Sequence, residues 1–281
     1  MTDFGVAFFP TDYSIQPVEL ALALEERGLD SLYVTEHTHI PTSRKTPWPG
    51  GADLPEEYWH THDPFVALAA AAAVTKSLRL GTGICLVVER DPIQLAKEVA
   101  SLDMISGGRL VLGVGAGWNR EEMENHGVDY ANRWAVVREK VLAMKTIWTE
   151  DEPEFHGEFV DFDPLWSWPK PVQPGGPKVL LGAQSPWTWE RVVDYADGWM
   201  PIGIRGGLEE GMAELRAQCA TAGRDFDALE KTIFAAPAKP EPAKRLIESG
   251  FTELTFSLPS VPSEKALPLL DRFAELAQVL R

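Results

Sequence analysis

Directly after a short apolar run stands Thr35-Glu36-His37-Thr38-His39. An imidazole ionises near pH ~6.5, so a histidine at a strand end can give or take a proton in a reaction. Glu36 beside it can orient the ring or act itself; an ordinary loop histidine is the alternative reading. Other apolar runs end in small residues. Gly81-Thr82-Gly83-Ile84 and Gly113-Val114-Gly115-Ala116-Gly117 would let a planar ligand approach the backbone closely, with tight turns as the plainer alternative. Gly182-Ala183-Gln184-Ser185 precedes Pro186, so Ser185 reads as a helix cap. The N–H groups of such a helix start can receive a phosphate, or the residue can simply cap.

Other chemistries find less in the sequence. Trp118 stands where a Gly-x-Gly-x-x-Gly dinucleotide fingerprint needs its last glycine. The pairs His37/His39 and His60/His62 suggest a metal, but the remaining histidines, His126 and His156, lie on no late strand, and a metal is not expected. No Gly-x-Ser-x-Gly elbow is present, and neither Cys85 nor Cys219 neighbours a candidate base, so acyl transfer has no support.

These residues need elements to hold them. Apolar runs at residues 4–9, 31–34, 79–83, 109–114, 179–181, 198–201, 232–236 and 253–257 read as eight strands. Helical patterns fall at 17–27, 63–75, 91–106, 133–148, 186–196, 207–223, 240–249 and 263–280, several opened by a capping residue and proline. Eight strands alternating with eight helices in 281 residues predict an α/β fold, a (β/α)8 TIM barrel in one domain over residues 1–281. Residues 36–61 form a long loop, and residues 151–178 break the rhythm as a rim insertion holding a short hairpin. In such a barrel the strand-end residues above share one face, where active sites lie.

Composition narrows the partners. The net charge is −16, from 42 acids and 26 bases, which argues against nucleic acid and anionic membrane surfaces. The longest apolar run, residues 67–74, is too short to span a bilayer. The start, Met1-Thr2-Asp3-Phe4, lacks the basic and apolar regions of a signal peptide, and the two cysteines suggest no disulfide, so a cytoplasmic protein is expected.

Taken in order, the runs from Leu80 to Ile84, Asp91 to Glu98, Leu102 to Leu110 and Leu112 to Trp118 resemble the luciferase-like monooxygenase superfamily. Gly157-Glu158-Phe159-Val160, Pro169-Lys170-Pro171-Val172-Gln173-Pro174 and Ala196-Asp197-Gly198-Trp199 add to the likeness, which is narrower with the F420-dependent oxidoreductase branch. The resemblance implies hydride transfer between coenzyme F420 and a small-molecule substrate, with His37 handling the proton and Glu36 assisting. It implies cofactor binding by Thr82, Gly83 and Ile84, often with a non-proline cis peptide at Gly83-Ile84. It also implies cofactor binding by Gly115, Ala116 and Gly117 beside the ring, and by Gly182, Ala183, Gln184 and Ser185 at the phosphate. Phe9 and Trp118 would wall the substrate pocket. Sugar-phosphate-oxidising relatives carry a glutamate where this chain has Trp118, which sets that substrate aside. An FMN-dependent monooxygenase shares these motifs and stays open, as does a non-catalytic barrel. The likeness implies a homodimer, and the small-residue face at residues 67–73 offers a place for a partner.

Overall fold

The computed structural model describes residues 2–51 and 53–281; Met1 and Ala52, which the readings of the chain start and of the long loop include, lie outside them. Eight parallel strands close into a barrel: β1 (Asp3–Phe8), β2 (Ser31–Val34), β3 (Arg79–Leu86), β4 (Leu110–Gly115), β7 (Lys178–Leu181), β8 (Gly198–Trp199), β9 (Glu230–Ala236) and β10 (Glu253–Leu258), which pairs back onto β1. Helices α1 (Pro17–Glu26), α3 (Pro64–Val74), α4 (Pro92–Ser106), α6 (Arg133–Thr149), α7 (Thr188–Tyr195), α8 (Leu208–Ala222), α9 (Pro240–Glu248) and α10 (Ser263–Leu280) follow the strands in turn. This is the TIM barrel that the strand and helix rhythm predicts.

The starts of α3 and α4 show why the alternation is sharp. Asp63 and Asp91 accept hydrogen bonds from Val66 N (3.0 Å) and Gln94 N (2.8 Å), with Pro64 and Pro92 at the first helical position. Gly107, with φ of 69°, ends α4 in the left-handed region. The insertion at 151–178 holds a two-stranded ribbon, β5 (Phe155–His156) with β6 (Asp161–Phe162), and is pinned to α4. There the buried Asp103 carboxylate accepts from Val172 N (2.8 Å), Gln173 N (3.1 Å) and the Gln173 side chain (2.6 Å).

Two cores flank the sheet. The larger lies between strands and helices and includes Phe4, Leu20, Leu68, Val99, Leu112 and Trp199. The smaller fills the barrel with Tyr33, Val111, Leu180 and Met200, against which Ile84 and Phe234 pack. At the strand N-termini the Tyr33 hydroxyl donates to Glu253 Oε2 (2.8 Å), beside Thr232 and Arg79. The interior is therefore closed below and open only at the opposite end.

Three local expectations needed correction. β3 runs to Leu86, three residues past its expected end, because its register against β4 shifts between Thr82 and Cys85: an extra residue is taken up as a bulge and pairing resumes. A single helical turn, α2 (Glu57–His60), interrupts the long polar loop. A short helix, α5 (Arg120–Asn125), stands between β4 and α6, where the expected helices left a gap. The alanine-rich face of α3 is largely spent inside the chain, since Ala67, Ala71 and Ala72 are buried. Among the described residues no helix is long and apolar enough to cross a membrane.

Candidate active site

The ends of β1, β2, β3, β7 and β9 surround a cavity of about 170 Å³ lined by Phe9, Glu36, His37, Tyr58, Trp118 and Phe234, with the Gly83–Ile84 bulge and Gly182 at its floor. A second, outer cavity of about 560 Å³ shares Ile84, Gly117, Trp118, Gly182 and Ile202 with the first and extends over Ala116, Ala183, Gln184 and Ser185. Most of the strand-end residues singled out in the sequence thus meet in one place.

His37 leaves the end of β2 and is nearly enclosed, its side chain 6% exposed. Its Nδ1 lies 2.8 Å from Oε2 of Glu122. A carboxylate only accepts, so Nδ1 carries the proton and Nε2 is the nitrogen left for a ligand. Glu122 sits in the first turn of α5 because Asn119 caps that helix, accepting from Glu122 N at 3.4 Å. A first-turn acid also suits the helix dipole. The rings of Tyr58 and Trp118 flank His37 at 5.2 and 5.9 Å between centroids. The loop that carries Tyr58 is tied over the site by Trp48 packing edge-on to Tyr58, Arg44 over the Trp118 ring, and Thr46 N donating to Glu121 (3.3 Å).

Glu36 is placed differently. It borders the inner cavity, yet Oε2 accepts from Leu86 N and Oε1 from Arg90 Nε, each at 2.6 Å. Arg90 also reaches Asp63 (2.5 Å) and Glu98 (3.1 Å), so the cluster ties β2, the end of β3, α3 and α4 together. Both carboxylate oxygens are engaged by the scaffold, which makes Glu36 a positioning residue. Glu36→Ala would leave Leu86 N and Arg90 Nε without their acceptor, while Asp63 and Glu98 still answer the guanidinium. Denaturant titration should show about 1–3 kcal/mol less stability, whereas a purely chemical role would leave the midpoint in place.

The glycines serve the site through Ile84. A Cβ at Gly115 would stand 2.3 Å from Ile84 Cδ1, and one at Gly182 would stand 2.4 Å from Ile84 Cγ2. The bulge side chain therefore occupies the room that the two glycines leave. The Gly83–Ile84 peptide is cis. Thr82 and Gly115 do not line the cavities as expected: both are buried, and the Thr82 hydroxyl donates to Gly113 O (2.7 Å) across the β3–β4 seam. Ser185 does not cap α7 as expected: the helix opens at Thr188 with Trp187 in the cap position, and Ser185 N–H donates to the Thr188 hydroxyl (2.8 Å), while Gln184 donates to Gly206 O (2.6 Å). Gln184 Oε1 is buried without a partner beside the outer cavity.

Three arginines line that outer cavity: Arg133, Arg191 and Arg205. Among the described residues none of them pairs with a carboxylate. Arg133 stacks over Tyr130 (3.8 Å) and Arg191 over Trp134 (4.3 Å). Burial disfavours the charged form of Arg191; Tyr195 opposes this, and the neighbouring Arg133 adds to it. Mutually repelling cations held on aromatic faces suit an anionic ligand. The donor set fits a planar ring on the bulge with an anionic arm toward Ser185 and the arginines. The sequence did carry a signal for two of them. Arg133 opens α6 and Arg191 lies in the first turn of α7, where the helix dipole disfavours a cation. Glu122 and Tyr58 came from α5 and α2, which were not among the expected helices, whereas Phe234 lies on the expected strand β9 and was not singled out.

The profile of the luciferase-like monooxygenase family matches residues 15–259. An uncharacterized protein of Mycobacterium tuberculosis is 41% identical over 276 residues, covering 96% of this chain and 97% of that one. An F420-dependent glucose-6-phosphate dehydrogenase of Gordonia bronchialis is 29% identical over 227 residues, 77% of this chain and 62% of the relative. Among solved structures, an F420-dependent secondary alcohol dehydrogenase in complex with an F420-acetone adduct superposes with a TM-score of 0.80 at 18% identity, covering 100% and 99% of the two chains. A monooxygenase from Streptomyces bottropensis gives 0.80 at 22% identity, covering 99% of each. At these identities the structures share the fold.

Proposed function

The chain belongs to the luciferase-like monooxygenase family, and from that premise we propose that it is an oxidoreductase that moves a hydride between coenzyme F420 and a small organic molecule. The observation that carries this reading is the His37–Glu122 pair facing a cavity floored by the Gly83–Ile84 bulge and continued by an arginine-lined outer cavity. When bound, the deazaflavin supplies the hydride chemistry. The protein's own residues do the rest. Nε2 of His37 gives or takes the accompanying proton. Glu122 holds the ring in one orientation and balances the charge of its protonated form. Phe9, Tyr58, Trp118 and Phe234 exclude water and suit a substrate that is largely apolar beside its reacting carbon. Ser185, Gln184, Arg133, Arg191 and Arg205 would hold the anionic arm of the cofactor.

Glycine backbone and arginines would also accept FMN, and monooxygenases are among the structural neighbours. Anaerobic incubation with F420 and a panel of small alcohols, followed by loss of deazaflavin absorbance, tests the reading. Reduction without oxygen supports it. Substrate turnover only with reduced FMN and oxygen would replace it with a monooxygenase. We propose a homodimer as well, using the exposed apolar side chains Val18 and Leu22 of α1, Val66 of α3, and Met104 and Ile105 of α4. A monomer mass by sedimentation at micromolar concentration would remove it.

A further inference from the structure

We propose that Glu89 passes a proton between the His37–Glu122 pair and solvent, with Thr38 and His126 completing the route. The inference rests on the proton role given to His37 above.

Three carboxylates, Glu36, Glu89 and Glu122, are close enough for their charges to act on Glu89, each side chain 1% exposed. Arg90 answers Glu36, and His37 answers Glu122. Glu89, at the end of the 3-10 turn that follows β3 (Val87–Glu89), has no Lys or Arg partner among the described residues. Its Oε2 faces the Thr38 hydroxyl at 3.5 Å and His126 Nε2 at 3.8 Å. Burial first, then the charges of Glu122 and Glu36, push this carboxyl up to about 9, against the Thr38 hydrogen bond and Arg90. Lys140 approaches from α6, but its ammonium is engaged by the Val88 and Arg90 carbonyls. Glu89 therefore keeps its proton at neutral pH. Glu122 Oε1, buried and without a partner, is an acceptor in the same cluster.

The outer half of the route is explicit. Thr38 Oγ1 lies 2.9 Å from His126 Nε2 and 2.9 Å from His39 Nδ1, while His39 Nε2 lies 2.8 Å from Asn125. A hydroxyl can accept one proton and donate another, and so can relay. Burial, then His39, lowers His126, against Glu122 and Glu36; its side chain is 30% exposed and can exchange with water. For an outgoing proton, Glu89 gives its own through Thr38 to His126, which releases one to solvent. The Glu89 carboxylate so formed takes the proton that Glu122 has accepted from Nδ1 of His37. With Nε2 of His37 having first taken a proton from the substrate, one proton leaves, Glu89 and Glu122 return to their starting states, and His37 is left neutral with its proton on Nε2; the reverse sequence returns a proton to Nδ1 as Nε2 gives its own up. The substrate cavity need not open to water for this exchange.

The test uses the full chain without cofactor, labelled with ¹⁵N-histidine, and reads the exchange of the His37 Nδ1 proton with water by NMR. Glu89→Gln keeps the shape and a hydrogen-bond donor but cannot hand on a proton. It should slow exchange on the order of a hundredfold. His126→Gln should slow it similarly and recover with added imidazole, while Glu89→Gln should not recover. Because a raised carboxyl weakens the fold as pH climbs from its unfolded value toward about 9, Glu89→Gln should also flatten that decline, which shows that the variant is folded. Wild-type exchange rates in either variant would overturn the route. Slowed exchange in a protein that binds neither F420 nor FMN would leave the route standing and remove the functional reading.

Discussion

Replacing His37 with alanine is expected to slow single-turnover hydride transfer by about 10² to 10⁴, the usual range for a lost general acid or base. Cofactor affinity should be unchanged. The prediction follows from where the ring is held: Nδ1 is committed to Glu122 at 2.8 Å, and the side chain borders the inner cavity. Glu122→Gln should fall between the alanine variant and wild type. A glutamine still accepts from Nδ1–H but does not balance the charge the ring gains when Nε2 takes a proton. Stopped-flow measurement of both variants checks this. A His37→Ala enzyme with the wild-type hydride rate would move proton handling to another group.

Removing Arg133 and Arg191 together should produce the other large effect. A hydrogen bond to a charged group contributes about 1.5–3 kcal/mol, so each arginine lost should weaken binding of a phosphate-bearing cofactor about tenfold or more. The discriminating comparison is a phosphate-free deazaflavin or riboflavin, which should bind the wild type and the Arg133→Ala/Arg191→Ala variant alike. Salt should weaken the wild type more than the variant, because the attraction removed is electrostatic. Equal loss for the phosphate-free analogue would mean that the arginines only support Trp134 and Tyr130, over which they stack.

What the sequence could tell depended on how local the determinant was. The strands and capped helices follow from short-range patterns, such as Asp91-Pro92 opening α4 and Gly107 closing it, and the barrel follows from their alternation. The histidine at the end of β2 and the small residues at the ends of β3, β4 and β7 were legible for the same reason. Pairing across the chain was not. Glu122 lies 85 positions from His37, and only the capping of α5 by Asn119 turns its carboxylate inward. Glu36 borders the inner cavity, but its bonds to Arg90 and Leu86 assign it to the scaffold. Gly115 looked like a ligand contact because a missing side chain leaves room, and Ile84 takes that room; Gly182 makes room for Ile84 too and still borders both cavities. Tyr58 could not be placed because α2 is a single turn in a loop with no periodic pattern.

The site is proposed to hold F420. Fluorescence titration of the purified protein with F420 and with FMN, side by side at the same ionic strength, tests it most directly. Tight F420 binding with FMN at least tenfold weaker (about 1.4 kcal/mol) is the predicted result. Tighter binding of FMN, or binding of neither, would contradict it.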